Sequence, residues 1–218
     1  MGHAEIDHAN GILKIYSNII TYGESADELV TERMRREIET MWNAPGAIAY
    51  INHNHYKVVF VITCSCKPNI TELEVLQNTD PRNNYFRIEN FIHGNISFVD
   101  GVPCNSVYFL YENLYEGSTT AAHEYGHTIG LEHPRDMDLR GKGVPGIMYP
   151  RGTLVEPQFQ YDPTKPAGVT GGTMHPIHRV VREEDIELLK LHKLEFRNNR
   201  AILGEFTNVY HYAHQVGG

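Results

Sequence analysis

Residues 123–133 have the sequence HEYGHTIGLEH, the most specific pattern in the chain. His123 and His127 are four residues apart, so on a helix their imidazoles lie on one face and can bind a single metal ion. Glu124 follows the first histidine, where its carboxylate can reach a water molecule on that ion. The spacing therefore predicts a helix that carries two metal ligands and a general base.

The end of the same stretch predicts a third ligand. Gly130 has no Cβ, so it can end the helix in a sharp turn at little steric cost. The turn brings His133 back towards the two helical histidines. Three histidines leave one position of a four-coordinate zinc ion open for water, which is typical of catalytic rather than structural zinc sites. We therefore predict one Zn²⁺ ion held by His123, His127 and His133, with Glu124 as the catalytic residue.

The extended motif resembles the consensus of the metzincin clan of zinc endopeptidases. Residues 146–150, Gly-Ile-Met-Tyr-Pro, resemble the Met-turn that this clan places under its zinc, so the resemblance gives Met148 a supporting role. The sequence of this turn is similar to the matrixin version, whereas a proline after the third histidine, here Pro134, is more typical of serralysins. The resemblance at motif level covers about residues 118–150.

Two departures from the clan limit what the resemblance implies. Astacins and serralysins have a tyrosine two residues after the Met-turn methionine, where it can ligate zinc or stabilise the oxyanion. This chain has Pro150 at that position, so Tyr149 remains as a candidate for a substrate or oxyanion contact, with its direction open. Matrixins keep a tyrosine shortly after the proline of the turn, but Arg151 and Gly152 follow here.

A narrower resemblance concerns residues 138–153 and 160–163. They are similar to metallopeptidase domains at the C-terminal ends of bacterial Rhs-type polymorphic toxins. This implies an effector that is secreted or delivered outside the producing cell, with an immunity or inhibitor protein as partner. Residues 1–20 have no basic start followed by an apolar block, so we expect no secretory signal. A cytosolic protein, a fragment of a larger precursor and export by another route all fit that start.

Composition indicates one folded domain and excludes several classes of function. The 218 residues are 41% hydrophobic, and we expect a single catalytic domain over 1–218, with an upper half of about 1–130 and a lower half of about 131–218. The formal net charge of −8 argues against a nucleic-acid partner recognised through bulk positive charge. The longest apolar stretch, 58–64, is too short to cross a bilayer, so we expect no membrane insertion.

Periodicity predicts an α/β (α+β) metzincin-like fold. We expect a twisted, mainly parallel sheet with an antiparallel edge strand, an active-site helix, and a loop-rich C-terminal half that holds the Met-turn and a final helix. The first helix should begin at a capping box of Ser25 and Glu28 and end near Asn43. The predicted strands are 11–22 (or a hairpin), 57–64, 95–99 and 106–111; the other helices are 118–131 and a deeply buried 182–194; and 149–179 is a long loop.

The remaining histidines and the cysteines give weaker signals. The pairs His53 with His55 and His175 with His178 invite a second metal site, but they lack the acids of a calcium or structural zinc loop, so we favour ordinary surface residues. Calcium is possible but no motif indicates it. The three cysteines, Cys64, Cys66 and Cys104, are too few for a disulfide scaffold, and free thiols are the commoner outcome.

The sequence favours a zinc-dependent endopeptidase that binds a protein or peptide substrate in an extended form. We expect the substrate to lie along an edge strand within 95–111, and the 149–179 loop to form much of the pocket wall. Two alternatives stay open. One is a zinc amide hydrolase that acts on a non-protein substrate such as a cell-wall peptide. The other is a non-catalytic binding module that retains zinc, against which Glu124 argues because such a module needs no base.

Overall fold

A computed structural model of the chain describes residues 1–91 and 97–214. The described part contains eight strands and four α-helices. The strands are β1 (Gly2–Asp7), β2 (Ile12–Tyr22), β3 (Ile48–Ile51), β4 (Asn54–Cys66), β5 (Asn83–Glu89), β6 (Phe98–Val99), β7 (Ser106–Leu110) and β8 (Arg200–Leu203). The helices are α1 (Glu28–Asn43), α2 (Glu72–Leu76), α3 (Thr120–Thr128) and α4 (Glu183–Leu188).

The strands form one mixed sheet in the order β3-β4-β2-β5-β7-β6. The four central strands β4, β2, β5 and β7 are parallel, and the two ends of this order, β3 and β6, are antiparallel to their neighbours. One edge of β2 is shared, because β1 pairs with its first half and β5 with its second half. The predicted mixed α/β fold with a mostly parallel sheet is thereby confirmed.

Helix α1 covers one face of the sheet and packs mainly on β4. Its apolar residues recur at the spacing of one helical face, and Val30, Met34, Ile38 and Trp42 are buried. The predicted helix is correct, but the predicted cap is wrong. Asp27 is the N-cap residue and accepts a hydrogen bond from the Val30 N–H (2.7 Å), whereas the buried Ser25 hydroxyl has no partner among the described residues.

The C-terminal helix is shorter than predicted. Helix α4 ends at Leu188, and Lys190 adopts a left-handed backbone (φ 50°) before a short 3₁₀ turn at Leu191–Lys193. Leu188 is 60% exposed while Ile186 is buried. The helix therefore buries one face, and the prediction of a deeply buried helix over 182–194 is wrong.

Several other predictions can be compared with the strands. Strands β2, β4 and β7 confirm the predicted strands 11–22, 57–64 and 106–111 to within a few residues. Of the predicted strand 95–99, residues 98 and 99 form the two-residue strand β6. Residues 95 and 96 of that prediction lie outside the described residues. Strands β1, β3, β5 and β8 and helix α2 were not predicted. The 149–179 segment is largely irregular, with two short 3₁₀ turns, as expected.

Two further expectations concern membranes and thiols. Within the residues that the structure describes, no helix is both long and apolar enough to cross a membrane. All three cysteines are free, with Cys104 buried and the other two partly buried.

Candidate metal centre

Helix α3 carries the first part of the motif and is buried along all nine of its residues. Contacts from other elements hold it in place. The Trp42 indole N–H donates to the Ala122 carbonyl (3.1 Å), and a Glu37 carboxylate oxygen accepts from the Ala122 N–H (3.1 Å). The Tyr125 hydroxyl bonds to the Ser17 hydroxyl on β2 (2.8 Å). The sheet and α1 thus fix the orientation of the site helix through directed hydrogen bonds.

The turn after α3 has the predicted form. Gly130 has φ of 110°, a backbone region that favours glycine, and the Leu131 N–H donates back to the Gly126 carbonyl (3.0 Å). The Leu131 carbonyl in turn accepts from Nδ1 of His127 (2.6 Å). The glycine therefore reverses the chain towards His133 and also positions a carbonyl that orients the His127 ring.

The three motif histidines converge through their Nε2 atoms. Nε2 of His133 lies 3.1 Å from Nε2 of His123 and 3.1 Å from Nε2 of His127. A tetrahedral zinc ion with Zn–N bonds of about 2.0–2.1 Å separates its nitrogen ligands by about 3.3 Å. The observed cluster is close to this spacing, so the donor set fits one zinc ion.

Backbone carbonyls fix the tautomers of the two helical histidines. Nδ1 of His123 donates to the Ile147 carbonyl (2.7 Å), and Nδ1 of His127 donates to Leu131 as described. With the proton held on Nδ1, each Nε2 presents its lone pair to the centre of the cluster. Such second contacts orient the rings and raise their basicity as ligands.

Burial keeps the imidazoles neutral. Desolvation lowers the pKa of His127 to about 4 and the pKa of His123 well below its usual value, and it also lowers the pKa of the more exposed His133. Neutral imidazole is the form that binds metal. These three histidines can therefore hold one metal ion at neutral pH, and the site is compatible with zinc.

Glu124 lies in the wall of the same cavity as the three histidines. Glu124 is 6% exposed, and desolvation raises its pKa to about 8. The positive charges of Arg179 and Arg151 act in the opposite direction and lower this pKa. A divalent cation in the histidine cluster would favour the carboxylate form. The structure thus places Glu124 in the wall of the cavity that contains the three histidines.

The cavity has a volume of about 620 Å³. One part of its wall comes from β6, through Phe98 and Val99, and another from residues 150–152, which follow the predicted Met-turn. Helix α3 and His133 complete the part that contains the histidine cluster. The cavity therefore joins the edge of the sheet to the loop-rich half of the chain.

Met148 lies beneath α3. It is buried, and a Cβ placed on Gly126 would collide with its sulfur and come within 3.1 Å of Trp42. The preceding residue, Ile147, supplies the carbonyl that orients His123. The segment that resembles a Met-turn therefore supports the ligand helix by packing and by one hydrogen bond.

Replacement of Gly126 by alanine tests this packing. Alanine is intrinsically the better helix former, by about 1 kcal/mol, yet the added methyl group would overlap the Met148 sulfur. We expect the free energy of unfolding of the variant to be about 1–3 kcal/mol lower than that of the wild type, as for other overpacked cores. Urea denaturation measures this difference. The double variant Gly126→Ala with Met148→Ala should recover part of this loss. Equal or greater stability of Gly126→Ala alone would contradict the packing.

Tyr149 has its ring in a small apolar cluster with Leu139, Val155 and Met174. Its carbonyl accepts a hydrogen bond from Nη1 of Arg179 (3.3 Å). The ring therefore packs among apolar side chains and is not part of the cavity wall. The substrate or oxyanion contact of Tyr149 stays a prediction.

Arg179 is the site residue that sequence reasoning missed. It is 4% exposed and contributes to the cavity wall beside Glu124. Desolvation lowers its pKa to about 10, so the guanidinium stays charged at neutral pH. No motif surrounds it in the sequence, and it follows a 3₁₀ turn in the C-terminal half. Its only sequence signal is a basic residue in a Pro- and Gly-rich loop.

The other histidine pairs do not assemble with acids or cysteines. His53 and His55 are exposed on β3–β4, whereas His175 and His178 are partly buried, with His175 against Tyr161 (ring centroids 4.4 Å apart). Among the described residues, the three motif histidines form the only group of three or more His, Cys, Asp or Glu side chains that could hold a metal ion. The structure therefore offers no second metal site in that part of the chain.

No protein-family model matches the chain, and a search of curated proteins finds no significant relative. Fold and site together define a mixed α/β protein with a cluster of three histidines that could hold a metal ion and is compatible with zinc, beside a buried glutamate.

Proposed function

We propose that the chain is a zinc-dependent endopeptidase of metzincin type. The observation that carries the proposal is the convergence of three Nε2 atoms beside Glu124 in one open cavity. A purely structural zinc site is closed by four protein ligands, whereas this set of three leaves a position for water. A base next to that open position serves hydrolysis and has no use in a structural site.

The chemistry divides between the metal and the chain. Bound zinc would act as a Lewis acid on the scissile carbonyl and lower the pKa of a bound water. As the water attacks the scissile carbonyl, a carboxylate oxygen of Glu124 would accept the proton that the water releases. Glu124 would then deliver this proton to the departing amine. Its burial raises its proton affinity, which suits a group that must first accept and then donate. Nδ1–H of His123 and of His127 keep both rings oriented throughout.

The edge of the sheet supports an extended substrate. Strand β6 is the last strand in the described order, and Phe98 and Val99 also line the cavity. Main-chain groups on the outer edge of such a strand can pair with a peptide laid alongside it. The exposed strand edge beside the cavity thus supports a protein or peptide substrate.

The biological setting is also a proposal. Delivery outside the producing cell as an effector or toxin module, and an immunity or inhibitor protein as partner, rest on the resemblance of residues 138–153 and 160–163 described above. The negative charge of the chain supports the expectation that nucleic acid is not the substrate.

The function is tested by incubating the zinc-loaded protein with an unfolded protein and, separately, with peptidoglycan fragments. We expect peptide-bond cleavage of the unfolded protein that stops on zinc chelation and returns when zinc is added back. Cleavage of peptidoglycan amides alone would favour the alternative hydrolase. Zinc bound one to one with no turnover of either substrate would favour a binding module.

A further inference from the structure

The cavity has a second polar region beside the metal ligands, made by Thr120, Arg151 and Arg179. None of these residues belongs to the metal-binding motif. Two of them are cationic, and their charges act on Glu124. This region is defined here as the cationic wall.

Hydrogen bonds hold the Arg179 guanidinium in place without engaging all of its donors. Its Nε donates to the Thr119 hydroxyl (2.9 Å), Nη1 to the Tyr149 carbonyl (3.3 Å) and Nη2 to the Ser118 carbonyl (3.4 Å). A guanidinium has five N–H donors, and within the described part of the chain these three bonds leave two of them unused. The rigid bonds therefore present a preorganised, buried cation to the cavity.

Thr120 is a buried polar residue in the wall beside the two arginines. The residue is 4% exposed and lines the cavity, and its hydroxyl has no hydrogen-bond partner among the described residues. A buried polar group without a partner costs free energy. Its oxygen is shielded from solvent, so an occupant of the cavity would meet the two arginines and not this hydroxyl.

The balance of charge favours an anionic occupant. Besides the two arginines, the cavity wall includes the acids Glu124 and Glu132, the second of which is exposed. A zinc ion adds two positive charges, so the loaded cavity is cationic overall. A carboxylate is the planar anion that a guanidinium recognises best.

We propose that the cationic wall binds a carboxylate of the substrate next to the scissile bond, through Arg179 and Arg151. This inference rests on the proposed peptidase function and adds its substrate class. The carboxylate has two possible sources, an aspartate or glutamate side chain and the C-terminal end of a peptide. Both present the same group to the wall, and the test separates them.

The test uses the zinc-loaded full chain and degenerate hexapeptide libraries blocked at both ends. Two libraries differ only at one central position, which is glutamate in one and glutamine in the other. A third library has the glutamine sequence and a free C-terminal carboxylate. Cleavage is measured by mass spectrometry, and calorimetry measures the binding of each library.

The variants are chosen to fold. Arg151→Gln removes a partly exposed charge. Arg179→Lys keeps the buried charge and removes the guanidinium geometry. Arg197→Gln is the matched control, because the side chain of Arg197 is 89% exposed and lies outside the cavity wall.

We expect the glutamate library to be cleaved at least about tenfold faster than the glutamine library, the size of one charge-assisted hydrogen bond. Each cationic-wall variant should reduce that ratio, and Arg197→Gln should leave it unchanged. A purely structural role of Arg179 would lower both rates and leave the ratio unchanged. Preference for the third library over the blocked glutamine library would assign the carboxylate to a chain end.

The two proposals fail in different ways. Equal cleavage of all libraries would overturn the carboxylate site and leave the peptidase function standing. If no library is cleaved, the binding data decide: tighter binding of a carboxylate-bearing library, lost in Arg151→Gln, would support the site, and equal binding of all libraries would overturn it.

Discussion

Replacement of His127 by alanine is expected to abolish stoichiometric zinc binding. The change removes one of three converging Nε2 atoms and leaves the Leu131 carbonyl without its imidazole donor. Changes to groups that only hydrogen-bond to the metal ligands weaken metal binding by about 10–100-fold. Loss of a direct ligand should therefore weaken zinc binding by more than about 100-fold, as measured by competition with a chromogenic chelator.

The same variant separates metal binding from folding. A ligand that binds only the folded state stabilises it by about 2.7 kcal/mol at 100 times its dissociation constant. Zinc should accordingly raise the unfolding temperature of the wild type and leave that of His127→Ala unchanged. His55→Ala is the matched control, because His55 is exposed and outside the cluster. Wild-type zinc content in His127→Ala would overturn the three-histidine assignment.

The part of the site that could be predicted is the part encoded locally. Spacing of four residues puts His123 and His127 on one helical face, and a glycine with positive φ reverses the chain within three residues of His133. These relations depend only on helix geometry and on one backbone conformation. They need no knowledge of the sheet.

Arg179 could not be predicted because long-range packing decides its role. Its partners, Ser118, Thr119 and Tyr149, are 30 to 61 residues away along the chain. No periodicity links an arginine in an irregular segment to the start of a distant helix. The same is true of Glu37, which meets the α3 backbone across 85 residues.

Strand β5 was missed for a related reason. It carries Asn84, Arg87 and Glu89, polar residues that are depleted in strands or disfavoured inside a core. In the structure, Arg87 and Glu89 form a buried ion pair, and the Asn84 amide donates to the Met1 and Arg82 carbonyls. Specific partners thus make a polar segment compatible with the middle of the sheet. The sequence pattern contains the residues but not the pairing.

The helix-cap error has a physical reason as well. Ser25 and Glu28 have the spacing of a capping box, but Asp27 lies one residue before the first helical residue and bonds directly to the Val30 N–H. A carboxylate at the N-cap also interacts favourably with the helix dipole. Ser25 and Asp27 are both good capping residues and lie close together. Spacing alone does not show which of the two caps the helix.

Replacement of Glu124 by glutamine is expected to abolish most turnover while zinc binding persists. Glutamine keeps the shape of the side chain but cannot take up and return a proton. General acid–base catalysis contributes about 10²–10⁴-fold to rate, so cleavage of an unfolded protein should fall by about that factor. The three Nε2 ligands and their Nδ1 bonds are untouched, and the zinc content should stay at one ion per chain.

Folding of this variant provides the internal control. Burial raises the pKa of Glu124 in the metal-free protein to about 8, so this carboxyl lowers stability as pH rises from its ordinary value of 4.5 towards 8. Metal-free Glu124→Gln should therefore unfold at the same or a higher temperature than wild type at pH 7. Glu116→Gln, at an exposed position outside the cavity wall, should cleave like wild type. Full activity in zinc-loaded Glu124→Gln would remove the carboxylate from the mechanism and would require another group to move the proton.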